Sequence, residues 1–414
     1  MKTIIILFAS LLLMYSCNNE VDITNPVVDP SNFIGQTNPL PNSSKLVMEG
    51  IYDVVQGKEL LGDSVAVKWN KDRLSIFSGK NGGYLVLNGG YLDSVIFFAG
   101  YWRYATSTET GVASFFIPSD EGGAEIISAD TAATTIRFVG EYGIDNGLAD
   151  KTLVLEFKRD FSQAVKQSNF YILAHRGGGR NSDYLGVSEN SIPMINLAER
   201  FGATGIEVDA RLSKDGIPFI YHDSDINLRL CQKSLIWGDV KNFTMIQLKT
   251  LITLRNGEKI PTLEEALEFV LEETTIRAVW LDTKDADVIP AAIAIQHEIL
   301  QRSVTMGRDL NIFIGIPDED VFERFNAQPG YQEVPSLCEL SPDVVRQANS
   351  RVWAPRWTLG IQTAEVQQMH AEGRLVFTWT LDETMYIEKF IKEGDFDGIL
   401  TNYPTIVSFY HYIR

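Results

Sequence analysis

The pattern of hydrophobic and polar positions divides the chain near residue 161. Between residues 46 and 161, short apolar runs alternate with glycine-containing turns, a spacing typical of a β-sandwich or a small β-barrel. Strands are predicted at 64–69, 74–78, 84–87, 94–99, 113–117, 134–139 and 152–158. Turns are predicted at 81–83, 88–90 and 121–123.

After residue 161, apolar strands alternate with helical segments, which favours a parallel sheet. Helices are predicted at 192–201, 263–273, 290–306, 342–350, 363–372 and 385–393. Their number is close to that of a (β/α)8 TIM barrel, which needs about 250 residues. Between residues 313 and 357 the pattern is ambiguous, because both 336–340 and 351–354 fit strands. We therefore expect an α/β TIM barrel over 168–414, preceded by a smaller all-β domain over 45–161.

The first residues have the pattern of an export signal. An apolar run at 4–14 is too short to span a bilayer comfortably, and Ser16-Cys17 resembles a lipoprotein processing site. We expect a signal peptide over 1–17, acylation of Cys17 and a polar, proline-containing tether over 18–44. This predicts a cell-envelope lipoprotein, anchored by lipid in the outer membrane and facing the periplasm or the surface. A secreted form and an uncleaved anchor are the alternatives.

The composition excludes several classes of protein. A net charge of −18 argues against a nucleic-acid surface, and it also disfavours electrostatic docking on anionic lipid. If Cys17 is acylated, only Cys231 and Cys338 remain, so neither a disulfide framework nor a cysteine-ligated zinc site is expected. The oligomeric state stays open.

Chemically useful side chains follow the predicted strands. The apolar run 171–174 ends in His175-Arg176 and a glycine-rich turn, and the run 217–221 ends in His222-Asp223. Glu207 and Asp209 are two residues apart on a third predicted strand, so both carboxylates lie on the same face. Because two like charges lie so close together, we expect a cation between them.

These motifs, in this order, resemble the glycerophosphodiester phosphodiesterase family. The resemblance runs over about residues 170–414 and includes several further segments: Glu189-Asn190, 260–267, 279–284, 376–380 and 396–404. It implies a TIM barrel that hydrolyses glycerophosphodiesters to sn-glycerol 3-phosphate and an alcohol. In this family the 2-hydroxyl of glycerol is thought to attack phosphorus, and water then opens the cyclic phosphate.

The resemblance also implies residue roles. His175 and His222 are the acid/base pair, with the order of action left open. Glu207, Asp209 and Asp282 form an all-oxygen site for Ca²⁺ or Mg²⁺, although the family more often has glutamate at the position of Asp282.

Further residues are assigned to substrate binding and support. Arg176 and Lys284 bind phosphate oxygens, and Trp379 is either a wall of the substrate pocket or a packed core residue. Glu189 and Asn190 orient the loop or the histidine. Asn402 stands where the family usually has aspartate, so the role of that carboxylate is expected to be lost.

Two other functions remain in consideration. One is a phospholipase-like barrel acting on lipids, which an apolar lip around the strand ends would favour. The other is an envelope glycan- or lipid-binding lipoprotein with a degenerate barrel. The retained His175, Arg176, Glu207, Asp209 and His222 argue against degeneracy.

Overall fold

The computed structural model describes residues 24, 26, 34–129, 135–179 and 185–414. The predicted signal segment, Cys17 and much of the predicted tether therefore lie outside the described residues, as does residue 134 of one predicted strand. Within the described part of the chain, no helix is long and apolar enough to cross a membrane.

The first half of the chain forms an antiparallel β-barrel. Consecutive strands are paired in order, and β1 pairs with β8 to close the barrel. Its strands are β1 Gly50–Gln56, β2 Ser64–Asn70, β3 Arg73–Ser78, β4 Gly83–Leu92, β5 Val95–Tyr104, β6 Thr110–Ile117, β7 Arg137–Tyr142 and β8 Lys151–Arg159. Seven of them match predicted strands, and β1 was not predicted. Of the two architectures expected for this domain, a sandwich or a small barrel, the structure has the closed barrel.

The predicted turn at 88–90 is wrong, because β4 runs straight through it. Gly89 pairs with Phe98 on β5, and a β-carbon at Gly89 would lie 2.5 Å from the Phe98 ring. Glycine therefore makes room for an aromatic ring within a strand, which is an established use of glycine in sheets.

The second half of the chain forms a barrel of eight parallel strands, which confirms the predicted TIM barrel. The remaining strands are β9 Tyr171–Ala174, β10 Gly205–Leu212, β11 Pro218–Ile220, β12 Asp225–Ile226, β13 Gly238–Asp239, β14 Ala278–Thr283, β15 Asn311–Ile316, β16 Ser336–Cys338, β17 Val352–Trp353, β18 Leu375–Thr378 and β19 Gly398–Thr401. The barrel contains β9, β10 and β14 to β19, and it closes by pairing β9 with both β10 and β19. Both ambiguous segments are strands, β16 and β17.

The helices lie mainly between the strands of this barrel. They are α1 Asn42–Val47, α2 Lys58–Leu61, α3 Gly123–Ile127, α4 Gln163–Lys166, α5 Ile192–Ala198, α6 Met245–Leu251, α7 Leu263–Glu273, α8 Ile289–Thr305, α9 Glu319–Asn326, α10 Pro342–Gln347, α11 Thr363–Ala371, α12 Thr384–Glu393 and α13 Pro404–Ile413. Helix α7 begins with a capping box between Thr262 and Glu265, which satisfies backbone donors at its first turn.

The β11 strand corrects one expectation. It runs antiparallel to β10 and is not one of the eight barrel strands, so His222 does not follow a barrel strand. Instead, β11 returns along β10 toward the barrel, and the Tyr221 backbone N–H donates to the Asp209 carbonyl at 2.9 Å. This return places His222 beside the end of β10.

The two barrels share a hydrophobic core. Helix α13 contacts strands of both, and Tyr412 on this helix stacks against Phe161 and Phe77. The Ser75 hydroxyl of the first barrel donates to the Arg200 carbonyl of the second at 2.9 Å. Because these apolar side chains are buried on both sides of the boundary, the β-barrel packs firmly against the TIM barrel.

We expect His411 on α13 to make folding stability depend on pH. Its ring is buried and stacks on Phe170, and burial, with Arg414 nearby, lowers the His411 pKa to about 3. In the unfolded chain His411 has the ordinary histidine pKa near 6.5. Between about pH 3 and 6.5 the unfolded chain therefore binds a proton at His411 that the folded protein does not bind. Stability should therefore fall as the pH drops through this window, by about 2 kcal/mol at pH 5.

Urea unfolding at pH 7.5 and pH 5 checks this prediction. The wild type should lose about 2 kcal/mol more than His411→Phe over this step, because the variant has no proton to bind. Equal losses in the two proteins would contradict the prediction.

Candidate active site

A pocket of about 430 Å³ opens where the parallel strands of the TIM barrel end. Its lining includes most of the predicted site residues: His175, Arg176, Glu207, His222, Asp282, Lys284 and Trp379. The carboxyl ends of barrel strands are the usual place for an active site in this fold. Asp209, Glu189 and Asn190 are buried behind the lining.

Three carboxylates meet at the ends of two neighbouring strands. Asp209 on β10 is in register with Asp282 on β14, and Glu207 lies on the same face of β10 as Asp209. One oxygen from each of the three side chains lies within 4.8 Å of the others. Glu207 Oε1 and Asp282 Oδ1 are buried, and neither accepts a hydrogen bond within the described residues.

The charge balance of this cluster fits a hard cation. Burial, reinforced by Asp209 and Asp282, raises the pKa of Glu207 well above its ordinary value. Lys284 Nζ lies 3.1 Å from Asp209 Oδ1 and also pairs with Asp282. One ammonium group cannot neutralise three carboxylates. The remaining negative charge and the two unpartnered oxygens suit an oxygen-coordinated divalent ion.

His175 is held in one tautomer by a chain of hydrogen bonds. The Asn402 side-chain amide donates to Asp382 Oδ2 at 2.6 Å, which fixes the orientation of that amide. Its carbonyl oxygen therefore faces His175 Nδ1 at 2.8 Å and accepts a hydrogen bond from the Nδ1–H group. The free lone pair is then on His175 Nε2, which lies 3.8 Å from Glu207 Oε2. Burial, followed by the charge of Arg176, lowers the His175 pKa to about 4.

His222 has an anionic partner instead. Its Nδ1 lies 2.6 Å from Asp223 Oδ1, and Arg229 Nη2 lies 2.6 Å from the same oxygen. Burial raises the Asp223 pKa, but the hydrogen bonds from Arg229, His222 and Asn227 lower it further, so its net shift is downward. Asp223 therefore holds the His222 ring by its Nδ1, with Arg229 Nη2 3.4 Å from the same nitrogen.

The glycine-rich turn after β9 is anchored by Arg176. This residue has a left-handed backbone (φ 54°), and its N–H donates to Glu207 Oε2 at 2.7 Å. Its guanidinium donates from Nη1 to Glu189 at 2.7 Å, and Glu189 also pairs with Arg229. Glu189 therefore orients Arg176, as predicted for a supporting residue.

Asn190 supports a carboxylate rather than a histidine. Its amide donates to Asp209 Oδ2 at 2.6 Å, and its carbonyl accepts the Asp209 backbone N–H at 3.2 Å. This pair of bonds fixes the rotamer of Asp209 and leaves Oδ1 facing the cluster.

The opposite wall of the pocket combines an aromatic ring with charged groups. Trp379 is half-buried and lines the pocket, and its indole donates to the Ala354 carbonyl at 2.8 Å. The Arg356 guanidinium lies 4.8 Å from the centre of the Trp379 ring. Glu339 and Asp318 complete this wall. Burial, and then the charge of Asp282, raises the Glu339 pKa to about 8.

Several of these contacts were not predicted. Asn402 keeps an orienting contact with His175 even though it lacks a carboxylate, and Asp382 supplies the charge one step further away. Glu339 directly follows β16, so assigning that segment as a strand would have identified it. Arg229 lies in a long loop where no strand-end signal marks it.

Comparison with known proteins agrees with this geometry. The glycerophosphoryl diester phosphodiesterase family model matches residues 175–406. A glycerophosphodiester phosphodiesterase of Caldanaerobacter subterraneus is 26% identical over 247 residues, covering 56% of this chain and 94% of that protein. Mouse glycerophosphodiester phosphodiesterase 1 is 31% identical over 128 residues, covering 29% of this chain and 36% of that protein.

A crystal structure of a glycerophosphodiester phosphodiesterase from Parabacteroides distasonis aligns with a TM-score of 0.46 and 26% identity, covering 57% of this chain and 94% of that one. The family match spans more than half of the sequence and includes both histidines and all three carboxylates. The chain belongs to the glycerophosphoryl diester phosphodiesterase family.

Proposed function

We propose that this pocket hydrolyses glycerophosphodiesters to sn-glycerol 3-phosphate and an alcohol, using a divalent cation and two histidines. One observation carries the proposal: a single pocket contains two histidines and a carboxylate cluster. His175 is hydrogen-bonded to an amide, and His222 is hydrogen-bonded to a carboxylate. Proton transfer and neutralisation of phosphate charge are the two needs of phosphodiester cleavage that these groups meet.

Glu207, Asp209 and Asp282 would hold the cation. When bound, such an ion supplies Lewis-acid stabilisation of the charge on the phosphate oxygens. Arg176 and Lys284 add positive charge on the same side of the pocket, and Asn190 and Glu189 keep Asp209 and Arg176 in place.

His175 is the base of the first step in this proposal. Its Nε2 lone pair accepts the proton of the glycerol 2-hydroxyl as that oxygen forms a bond to phosphorus. Asn402 supports this role because it keeps the other ring nitrogen protonated. The low pKa of His175 keeps the ring neutral near pH 7.

His222 is the acid of the first step. It donates a proton to the leaving alkoxide as the bond from that oxygen to phosphorus breaks, and Asp223 holds its ring in place through Nδ1. In the second step the roles reverse. His222 accepts a proton from water as the water oxygen bonds to phosphorus of the cyclic phosphate. His175 returns its proton to the glycerol 2-oxygen as the bond from that oxygen to phosphorus breaks. The products are sn-glycerol 3-phosphate and the free alcohol.

Removing the cation should abolish activity. Excess EDTA should stop the release of glycerol 3-phosphate from glycerophosphocholine, and Ca²⁺ or Mg²⁺ should restore it. Asp209→Ala should lose roughly 10³-fold in kcat, because a metal supplies several kcal/mol of transition-state stabilisation. Asp282→Glu should be tolerated and serves as the control. Full turnover in excess chelator would refute the metal assignment.

The two histidine variants should differ in their dependence on the leaving group. His175→Ala and His222→Ala should each lower kcat by roughly 10²–10⁴-fold on glycerophosphocholine, the range typical of general acid–base catalysis. A 4-nitrophenyl diester of glycerol phosphate needs little protonation of its leaving group. It should therefore restore His222→Ala far more than His175→Ala.

Kinetics with both substrates measure this difference. His297→Ala, which changes a histidine on α8, is the matched control and should keep wild-type rates. If the 4-nitrophenyl diester rescued His175→Ala more strongly than His222→Ala, His175 would be the acid and His222 the base of the first step. Near-wild-type rates in both variants would return the histidines to a structural role.

We also propose that Cys17 carries the lipid anchor of an envelope lipoprotein. The support is the sequence pattern of residues 4–17. After a wash in 0.5 M salt, which weakens electrostatic contacts with lipid, Cys17→Ser should move the protein from the membrane fraction to the soluble fraction, with unchanged turnover of glycerophosphocholine by the released protein. Retention in the membrane fraction would instead indicate an uncleaved signal segment or another membrane contact.

A further inference from the structure

The segment between β11 and α7 exposes large apolar side chains. We name residues 224–261 the cap; it contains β12, β13, α6 and a small core of its own. Leu235 is 100% exposed, Trp237 85% and Leu228 70%. The chain has seven tryptophans, all within the described residues, and Trp237 is the only exposed one. A soluble surface rarely presents such residues together without a partner.

Backbone pairing brings these apolar residues together with basic residues. The segments 230–235 and 251–255 run side by side: Gln232 N–H donates to the Thr253 carbonyl, and Arg255 N–H donates to the Leu230 carbonyl. The Ser234 hydroxyl donates to the Leu251 carbonyl at 3.2 Å, next to Leu235. Leu251 is itself exposed.

The charge of the cap is opposite to that of the whole chain. It contains six basic and three acidic residues, a net charge of +3 in a chain with a net charge of −18. Exposed Lys233, Arg255 and Lys259 have no carboxylate partner among the described residues. The whole-chain charge, which disfavours anionic lipid, therefore does not describe this surface.

The cap lies close to the pocket. Gly238 pairs with Ile226, four residues after His222, so chain geometry limits the distance between Trp237 and His222 to at most about 25 Å. Val240 N–H also donates to the Ser224 carbonyl at 2.9 Å. A partner bound at Trp237 would therefore lie within about 25 Å of His222.

We propose that the cap docks on the surface of an anionic phospholipid bilayer, with Trp237 and Leu235 inserted at the headgroup level and Lys233 and Arg255 facing the anionic headgroups. Tryptophan is favoured at membrane–water interfaces, and basic residues add attraction to anionic lipid. This contact is separate from the proposed lipid anchor at Cys17, and its existence does not depend on the catalytic proposal.

Fluorescence quenching by lipid tests the contact directly. Whole chains carrying Cys17→Ser are mixed with vesicles of phosphatidylglycerol and phosphatidylcholine whose acyl chains are brominated. Trp237 should be quenched on phosphatidylglycerol vesicles, and Trp237→Phe should remove this quenching. Residues 1–23 contain no tryptophan, so their insertion contributes no signal.

Charge variants separate electrostatic docking from general stickiness. Lys233→Glu with Arg255→Glu should weaken vesicle binding at least tenfold, and 0.5 M salt should weaken wild-type binding. Arg351→Glu with Lys389→Glu makes the same change in net charge at exposed positions elsewhere and should leave binding unchanged. Both pairs should keep wild-type turnover of soluble glycerophosphocholine.

Three results would overturn the proposal. The first is no quenching of Trp237 on anionic vesicles. The second is equal quenching on pure phosphatidylcholine. The third is a dimer in sedimentation analysis that Leu235→Ser with Trp237→Ser dissociates, because the patch would then bind a second copy of the chain.

Discussion

Two buried carboxylates and a half-buried one, at the ends of two adjacent strands, impose a charge that the rest of the site must accommodate. Glu207, Asp209 and Asp282 are placed by the register of β10 and β14, and their ligand oxygens lie within 4.8 Å of one another. Buried like charges are costly unless they are paired or bind a cation. Lys284 offsets part of this charge, and the remaining negative charge explains why the pocket suits a divalent cation.

The two histidines differ because their partners differ. A neutral amide holds His175 and leaves its Nε2 as an acceptor, whereas a carboxylate holds His222 at its Nδ1. In the proposed mechanism, this difference in partners assigns the base to His175 and the acid to His222. The two histidines are also positioned by different elements. His175 follows the barrel strand β9, and His222 follows β11, which runs antiparallel to β10.

The sequence predicted the features that depend on local periodicity. Alternation placed Glu207 and Asp209 on one face, and the strand–helix rhythm predicted the TIM barrel, both of which the structure confirms. Features set by tertiary contacts could not be predicted from the sequence. Gly89 looked like a turn because only the position of Phe98 shows why glycine is needed there. Similarly, Arg229 reaches Asp223 and Glu189 from a loop without periodicity. The exposure of the apolar side chains of the cap depends on the pairing of its segments 230–235 and 251–255.

The most direct test of this account is the anomalous scattering of Mn²⁺ in crystals of the protein. The account predicts one strong peak, bonded to oxygens of Glu207, Asp209 and Asp282 at the roughly 2.0–2.6 Å typical of hard divalent ions. The peak should disappear in Glu207→Gln with Asp209→Asn, while His175 and His222 keep their positions. A fully occupied peak elsewhere, or no peak in crystals of protein that turns over substrate with Mn²⁺, would contradict the central claim.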